Sequence, residues 1–378
     1  MHAEERHQTI LRRVREQRSA RVTDLAAELG VSPVTVRKDI ELLAERGLVA
    51  RVHGGAMVPE DWAETAAVEQ QAPTAAAPEM SARTLGLIVP SSSYYFPDVI
   101  RGAREAVAAA GARLVLRISD YDPQAEQAHA RELIEDGVDG LLLAPSRESA
   151  SPKTASGPGG RQWYEELDTP VVLVERRPGE EDPTVEHVIS DHSLGARLAV
   201  RHLVQGGHRR IALLMRGSTP TSPWIEEGYR AALTAAGLDC PTGAGYAELG
   251  TGNSGTPAYD KAMREFVDAV AAGEVDAVLV HPEHDALTLL QHLRTRGVRV
   301  PGQLAVVSYD DEVAALADIP LSAVAPAKSE VGRCAAELLM LRLDDTERPR
   351  RRVFILPELR VRESSQADSS DPPLPPVS

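Results

Sequence analysis

Apolar positions follow two rhythms along this chain. In the first 58 residues they recur at helical spacing, with Ile10, Leu11 and Val14 marking a helix over 4–18. Leu25, Ala26 and Leu29 mark a second helix, which Thr23 can cap and Gly30 ends. A third helix opens at Ser32-Pro33, where the serine supplies a capping hydroxyl and the proline takes the first helical position, at which a missing N–H costs nothing. Val36, Ile40 and Leu43 form its inward stripe, leaving Thr35, Arg37, Lys38 and Glu41 outward near its N-terminal half. Residues 48–52 read as a strand running into the His53-Gly54-Gly55 turn, a wing beside the helices. Helix, short turn, helix is the arrangement that lays a second helix into the major groove of DNA.

From Thr84 the rhythm changes to short apolar runs alternating with amphipathic stretches. Strands are expected over 84–89, 112–118, 138–144, 170–174, 210–214, 275–280 and 304–309, and helices over 97–110, 123–136, 224–236 and 284–296. Near-continuous apolar strands alternating with helices indicate an α/β fold with parallel sheets covered on both faces. About ten strands over this length divide more naturally into two lobes than into one sheet. Residues 59–83 read as a flexible Ala/Pro linker, 145–161 as a surface loop and 367–378 as a disordered tail.

Charge sharpens the division. The chain of 378 residues carries a net charge of -15, which by itself argues against nucleic acid as a partner. Residues 1–58, however, hold ten Lys/Arg against eight Asp/Glu, and five arginines fall within 12–21. A positive patch therefore belongs to the N-terminal unit, where phosphates would be met. No apolar run is long enough to span a bilayer. The polar N-terminus has no secretory signal, and cytoplasmic localisation is expected. Cys240 and Cys334 lie too far apart for a disulfide framework or zinc module and are expected to be reduced and buried.

In open α/β sheets ligands sit beyond the carboxyl ends of the strands. Those ends here are polar and aromatic: Tyr94-Tyr95-Phe96, Ser119-Asp120, Glu175-Arg176-Arg177, the loop before Trp224, His281-Pro282-Glu283 and Tyr309-Asp310-Asp311. Carboxylates and a guanidinium fork that grip adjacent hydroxyls, with an aromatic ring against an apolar sugar face, would suit a carbohydrate. Asp191 before Ser193-Leu194-Gly195 would serve equally as a helix cap, and Tyr95-Phe96 equally as core.

Two other motifs lead elsewhere. Residues 250–255 match G-x-G-x-x-G, but Asp276 precedes its apolar run instead of ending it, so no dinucleotide is expected. His281 and His284 flank a proline without a completing cluster, so no metal is expected. No nucleophile elbow, Walker loop or cysteine–histidine pair supports enzymatic chemistry.

The run LAAELGVSPVTVRKDIELLAERGLVARVHGGA resembles the DeoR-type winged helix-turn-helix over about residues 4–58. The resemblance implies that Ser32, Thr35, Arg37 and Lys38 contact DNA, with Arg51 and His53 on the wing. Lys38 stands where a second arginine is usual, which keeps the charge and loses a planar fork. From 84 to 366 the chain resembles the effector domain of the LacI/GalR regulators, through SSSYYFPDVIRGAREAVAAAG, DGLLLAP, TPVVLVERR, DHSLGARLAVRHLVQGGHRRIALL, RTRGVRVPGQLAVVSYDD and EVGRCAAELL. That implies a two-lobed, periplasmic-binding-protein-like domain, with lobe one at 84–181 and 323–347, lobe two at 182–322 and 348–366, and an effector between them. Tyr95, Phe96, Arg176, Asp191 and Asp310 become cleft candidates by position, beside Asp120, Trp224 and Glu283 from the strand-end reading. Ile225 stands where the family places an arginine and Pro282-Glu283 where it places Asn-Asp, so Trp224 is the candidate stacking face. The expected protein is a ligand-responsive repressor of carbohydrate uptake or catabolism genes. It would bind operator DNA as a homodimer and a sugar-like effector, without cofactor or enzymatic activity. A solute-binding receptor without operator function is the alternative.

Overall fold

The computed structural model describes residues 13, 19–29, 31, 36, 40, 43, 50–52, 55–57, 83–146, 162–177, 184–217, 219–241, 246–249 and 256–366. The chain divides into two units, 1–79 and 80–378.

In the N-terminal unit, strand β1 (Ser19–Arg21) leads directly into helix α1 (Val22–Leu29). Strands β2 (Ala50–Val52) and β3 (Gly55–Met57) pair antiparallel, and β1 joins on the other side of β3. The wing strand expected from sequence is thus present as β2, with β3 as its partner. Strand β1, on the far side of β3, was not expected, because Ser-Ala-Arg carries no apolar alternation. Val22, Leu25, Ala26 and Leu29 of α1 bury a core with Val36, Ile40 and Leu43, all three helical. Of the helix expected over 4–18, only Arg13 is described, and it is helical.

The second unit holds two six-stranded sheets. The first contains β4 (Thr84–Val89), β5 (Arg113–Ile118), β6 (Gly140–Leu143), β7 (Val171–Val174), β8 (Glu186–Ser190) and β14 (Arg352–Ile355), in the order β14-β8-β7-β6-β4-β5 and parallel throughout. The second contains β9 (Ile211–Met215), β10 (Tyr246–Glu248), β11 (Ala277–His281), β12 (Ala305–Tyr309), β13 (Ser322–Ala325) and β15 (Glu358–Arg360), in the order β10-β9-β11-β12-β13-β15. It is parallel except for the β13–β15 edge pair.

Helices cover both faces of each sheet. On the first, α2 (Phe96–Ala109) and α3 (Pro123–Glu135) follow β4 and β5. On the second, α4 (His192–Gln205), α5 (Ser222–Ala235), α6 (Pro257–Ala271) and α7 (Glu283–Arg296) alternate with the strands. Helix α8 (Lys328–Asp344) returns to the first lobe and packs on α2, and the approach is close enough that a Cβ at Gly102 would collide with the Ser329 carbonyl.

The chain therefore crosses between lobes after Ser190, after Ala325 and after Ile355. These crossings correct the boundaries read from resemblance. Strand β8, assigned to lobe two by a border at 181/182, belongs to the first sheet, as does β14, while β13 belongs to the second. The reason lies in pairing. Arg352 through Ile355 run beside His187 through Ser190, and the buried Glu186 carboxylate takes Arg342 at 2.9 Å, Arg348 at 3.0 Å and the Arg351 N–H at 2.8 Å, so both segments are tied to lobe one.

Candidate functional site

The parallel strands of both sheets deliver their carboxyl ends to one cleft of about 690 Å³. Its walls are built from residues within a few positions of a strand end: Tyr94, Tyr95 and Phe96 after β4, Tyr121 after β5, Glu175 and Arg176 after β7, and His192 at the start of α4, just past the crossing that follows β8. From the second lobe come Arg216 after β9, His281 and His284 around the end of β11, and Asp310 after β12. Backbone conformation marks the same place. Six described residues other than glycine adopt positive φ, namely Tyr94, Asp120, Tyr121, Glu175, Asp310 and Asp311, all at these strand ends. Such conformations are strained for residues with a Cβ and persist where surrounding structure holds them, as at ligand clamps.

Hydrogen bonds join the two lobes through the cleft floor. The buried Glu175 carboxylate accepts the Tyr95 hydroxyl at 2.6 Å, the Ser190 hydroxyl at 2.7 Å and the Ser190 N–H at 3.2 Å, and lies 3.2 Å from His192 Nε2. Burial alone would raise its pKa, but the bonds from His192, Tyr95 and Ser190 outweigh burial and hold it below the usual carboxylate range. His192 continues to the Tyr309 hydroxyl at 3.3 Å, within the second lobe. Arg176 is buried, anchored by Nε to the Pro145 carbonyl and by an Nη1 bond of 2.7 Å to the Glu175 carbonyl.

The second lobe contributes two further groups. Arg216 forms a two-pronged pair with the buried Asp285, 2.7 Å on each side, and Tyr259 donates to the same carboxylate at 2.9 Å, so this guanidinium's charge is matched. Asp310, only 4% exposed, accepts the Tyr94 hydroxyl at 2.9 Å, and Lys328 Nζ donates to its backbone carbonyl. Burial raises the Asp310 pKa against the opposing pull of Lys328. His281 is buried, its pKa lowered to about 3 chiefly by burial, so it stands neutral at the cleft wall. Among the described residues the surface is aromatic and hydrogen-bonding, with the Arg216 charge met by Asp285 and the Arg176 guanidinium held by backbone carbonyls, and it suits an uncharged, hydroxyl-rich ligand.

Of the eight effector candidates read from sequence, Tyr95, Phe96, Arg176 and Asp310 line the cleft. The other four stand elsewhere. Asp191 caps α4, accepting the Leu194 N–H at 2.8 Å. Glu283 points its buried carboxylate at the N–H groups of Glu312 and Val313, 2.7 and 3.2 Å away. Asp120 is exposed, and its neighbour Tyr121 takes the wall position. Trp224 stacks on Arg177 of the first lobe, 3.7 Å from guanidinium carbon to ring centroid, so its face is already used. Ile225 is core. Sequence reading named Tyr94, Glu175 and His281 among the strand ends without choosing them as effector contacts, and passed over Tyr121, His192 and Arg216, each within five residues of a strand end, which was the available signal.

Ser32, Thr35, Arg37, Lys38 and His53 lie outside the described residues, as does the glycine motif at 250–255; Arg51 is on β2. Cys240 and Cys334 are free and half-buried, where buried thiols were expected. Among the described residues no group of three His, Cys, Asp or Glu is placed to hold a metal, and no helix is long and apolar enough to cross a membrane.

Two doubly wound lobes, crossed three times by the chain and meeting at a strand-end cleft, define the periplasmic-binding class of ligand receptor. Residues 200–365 match the periplasmic binding protein-like domain, and residues 6–61 match the DeoR-like helix-turn-helix domain. The chain is 30% identical to the ribose operon repressor of Escherichia coli K12, covering 75% of this chain and 82% of that protein. It is 26% identical to the arabinose metabolism transcriptional repressor of Geobacillus stearothermophilus, over 91% and 90%. A solved transcriptional regulator CelR–cellobiose complex superposes with a TM-score of 0.62 at 26% identity, covering 89% of this chain and 92% of that one. The chain belongs to the LacI-type family of DNA-binding transcriptional regulators, with a DeoR-like head in front of the effector domain.

Proposed function

We propose that this regulator represses carbohydrate uptake or catabolism genes, and that a neutral sugar bound in the cleft changes its hold on operator DNA. The carrying observation is the cleft itself, in which tyrosine rings, neutral His281 and the Asp310 carboxylate converge from two lobes and, among the described residues, no unmatched cluster of cations calls for an anionic ligand. Relatives named for ribose and arabinose operons, and a similar structure titled as a cellobiose complex, support the sugar class. In this reading Tyr95, Phe96, Arg176 and Asp310 contact the effector, and the chain binds without turning it over.

The DNA contacts fall to Ser32, Thr35, Arg37 and Lys38, which the sequence leads one to expect on a third helix, with Arg51 and His53 expected on the wing. A homodimer in the cytoplasm completes the reading. On the outer face of the second lobe, Leu287, Leu290, Val298 and Leu316 line an apolar groove of about 830 Å³, and Leu316 is 83% exposed. An apolar patch of that kind supports a subunit interface.

Effector and DNA then change each other's affinity by the same factor, commonly worth about 1–3 kcal/mol. Fluorescence anisotropy on the DNA upstream of the chain's own gene, with ribose, arabinose and cellobiose in turn, tests this. A sugar-dependent shift in wild type that Asp310→Ala and Arg176→Ala lose, while retaining sugar-free DNA binding, is expected. Variants that respond as wild type does would displace the effector from this cleft.

A further inference from the structure

We propose that Tyr94 is an internal stand-in for the effector: its hydroxyl occupies Asp310 across the cleft, and a sugar hydroxyl must displace it to bind. The inference rests on the reading that the effector binds in this cleft and adds the residue that controls entry.

The two carboxylates of the cleft are used differently. Glu175 is enclosed by Tyr95, Ser190 and His192, three partners next to it or at the adjoining crossing, and serves as framework. Asp310 belongs to the second lobe, and among the described residues the hydrogen bond to its side chain comes from Tyr94 of the first lobe at 2.9 Å. A phenol O–H offered to a carboxylate has the chemistry of a sugar hydroxyl offered to the same group. Asp310 is thereby kept satisfied in the absence of ligand, where an empty buried carboxylate would be costly.

Tyr94 is also the residue best placed to leave. It is 39% exposed, whereas Phe96 beside it is buried in the core. Its backbone sits at φ 59°, a conformation disfavoured for tyrosine, and its ring meets the edge of His284 at 6.3 Å between centroids. Its hydroxyl meets the Asp310 carboxylate and the Glu283 backbone, and the first of these contacts is the one a ligand would take. Displacement breaks an interlobe bond and substitutes a ligand-mediated one, which couples occupancy to the relation between the lobes. A sugar lacking the hydroxyl that reaches Asp310 gains nothing in exchange, so the same contact selects among sugars.

Isothermal titration of the full-length protein with ribose, arabinose and cellobiose tests the competition. Tyr94→Phe removes the competing hydroxyl and keeps the ring, so the sugar that binds wild type is expected to bind roughly tenfold tighter, the order of one charge-assisted hydrogen bond. Unchanged affinity overturns the proposal, and weaker affinity overturns it in favour of a direct bond from the phenol to the ligand. Asp310→Asn checks the underlying reading, since wild-type affinity in that variant places the ligand elsewhere, a failure separate from that of the gate. A double-mutant cycle of Tyr94→Phe and Asp310→Asn on urea unfolding of the ligand-free chain needs no sugar. Measurable coupling is expected, and zero coupling removes the contact and with it the gate.

Discussion

Glu283 shows how a strand-end carboxylate can matter without touching a ligand. It is fully buried, accepts two backbone N–H bonds from the segment after β12, and burial raises its pKa from 4.5 to about 7. A raised pKa means the folded chain takes up this proton more readily than the unfolded one, so its contribution to stability is complete below about pH 4.5 and lost as pH rises through 7. Glu283→Gln keeps an oxygen for both N–H groups and removes the titration. The stability difference between variant and wild type should change by about 3 kcal/mol across that window, the equivalent of the shift, with the variant gaining towards pH 8. Urea unfolding at pH 4.5, 6 and 8 measures it, and parallel curves would show that Glu283 does not titrate there. His281 has the opposite sign: lowered to about 3, it favours the folded chain above pH 6.5 and loses that advantage as pH falls. Reading a charged or aromatic side chain at a strand end as a ligand contact put Asp310 and Arg176 at the cleft wall, where they stand, and misplaced Asp120, Glu283, Asp191 and Trp224. Which way such a side chain turns depends on neighbours brought from other strands, and the local pattern does not contain them.

Elements were more legible than side chains, with one instructive class of exception. Runs such as Thr84–Val89 and Ala277–His281 announce themselves because both faces of a covered parallel strand are apolar. Strand β8 hid because Glu186 and His187 interrupt its apolar run, yet all five of its residues are buried. The glutamate is tolerated there because Arg342 and Arg348 meet it from α8 and the following turn, more than 150 residues along the chain. The lobe borders were misplaced for the same reason, since β8 declares its lobe by pairing with β7, and β14 by pairing with β8. The α2–α8 contact, in contrast, depends on two small residues visible in sequence, Gly102 and Gly332. Gly102→Val would push a branched side chain into the Ser329 backbone and should cost about 3 kcal/mol or more, seen as a lowered urea midpoint. A midpoint within experimental error of wild type would mean that α8 can shift away from α2 without loss.

At the scale of the molecule, the division of charge matches the division of labour. The head carries the net positive end of an otherwise acidic chain, so its DNA affinity should fall steeply with salt while effector binding hardly responds. Arg37→Ala with Lys38→Ala is expected to weaken operator binding and reduce the slope of log affinity against log salt by about 2, roughly 0.9 per lost phosphate contact. An unchanged slope, measured by anisotropy between 50 and 200 mM salt, would move the phosphate contacts to other residues. The second unit presents a different economy, with two lobes tied at the cleft floor by Glu175 and His192 and at one side by Arg177 lying on Trp224. That stacked pair places an indole from one lobe under a cation from the other, in a chain with only three tryptophans. Any hinge motion that parts the lobes changes the electric field on this ring, so the regulator carries a built-in optical gauge, its own emission reporting how far the two halves have turned.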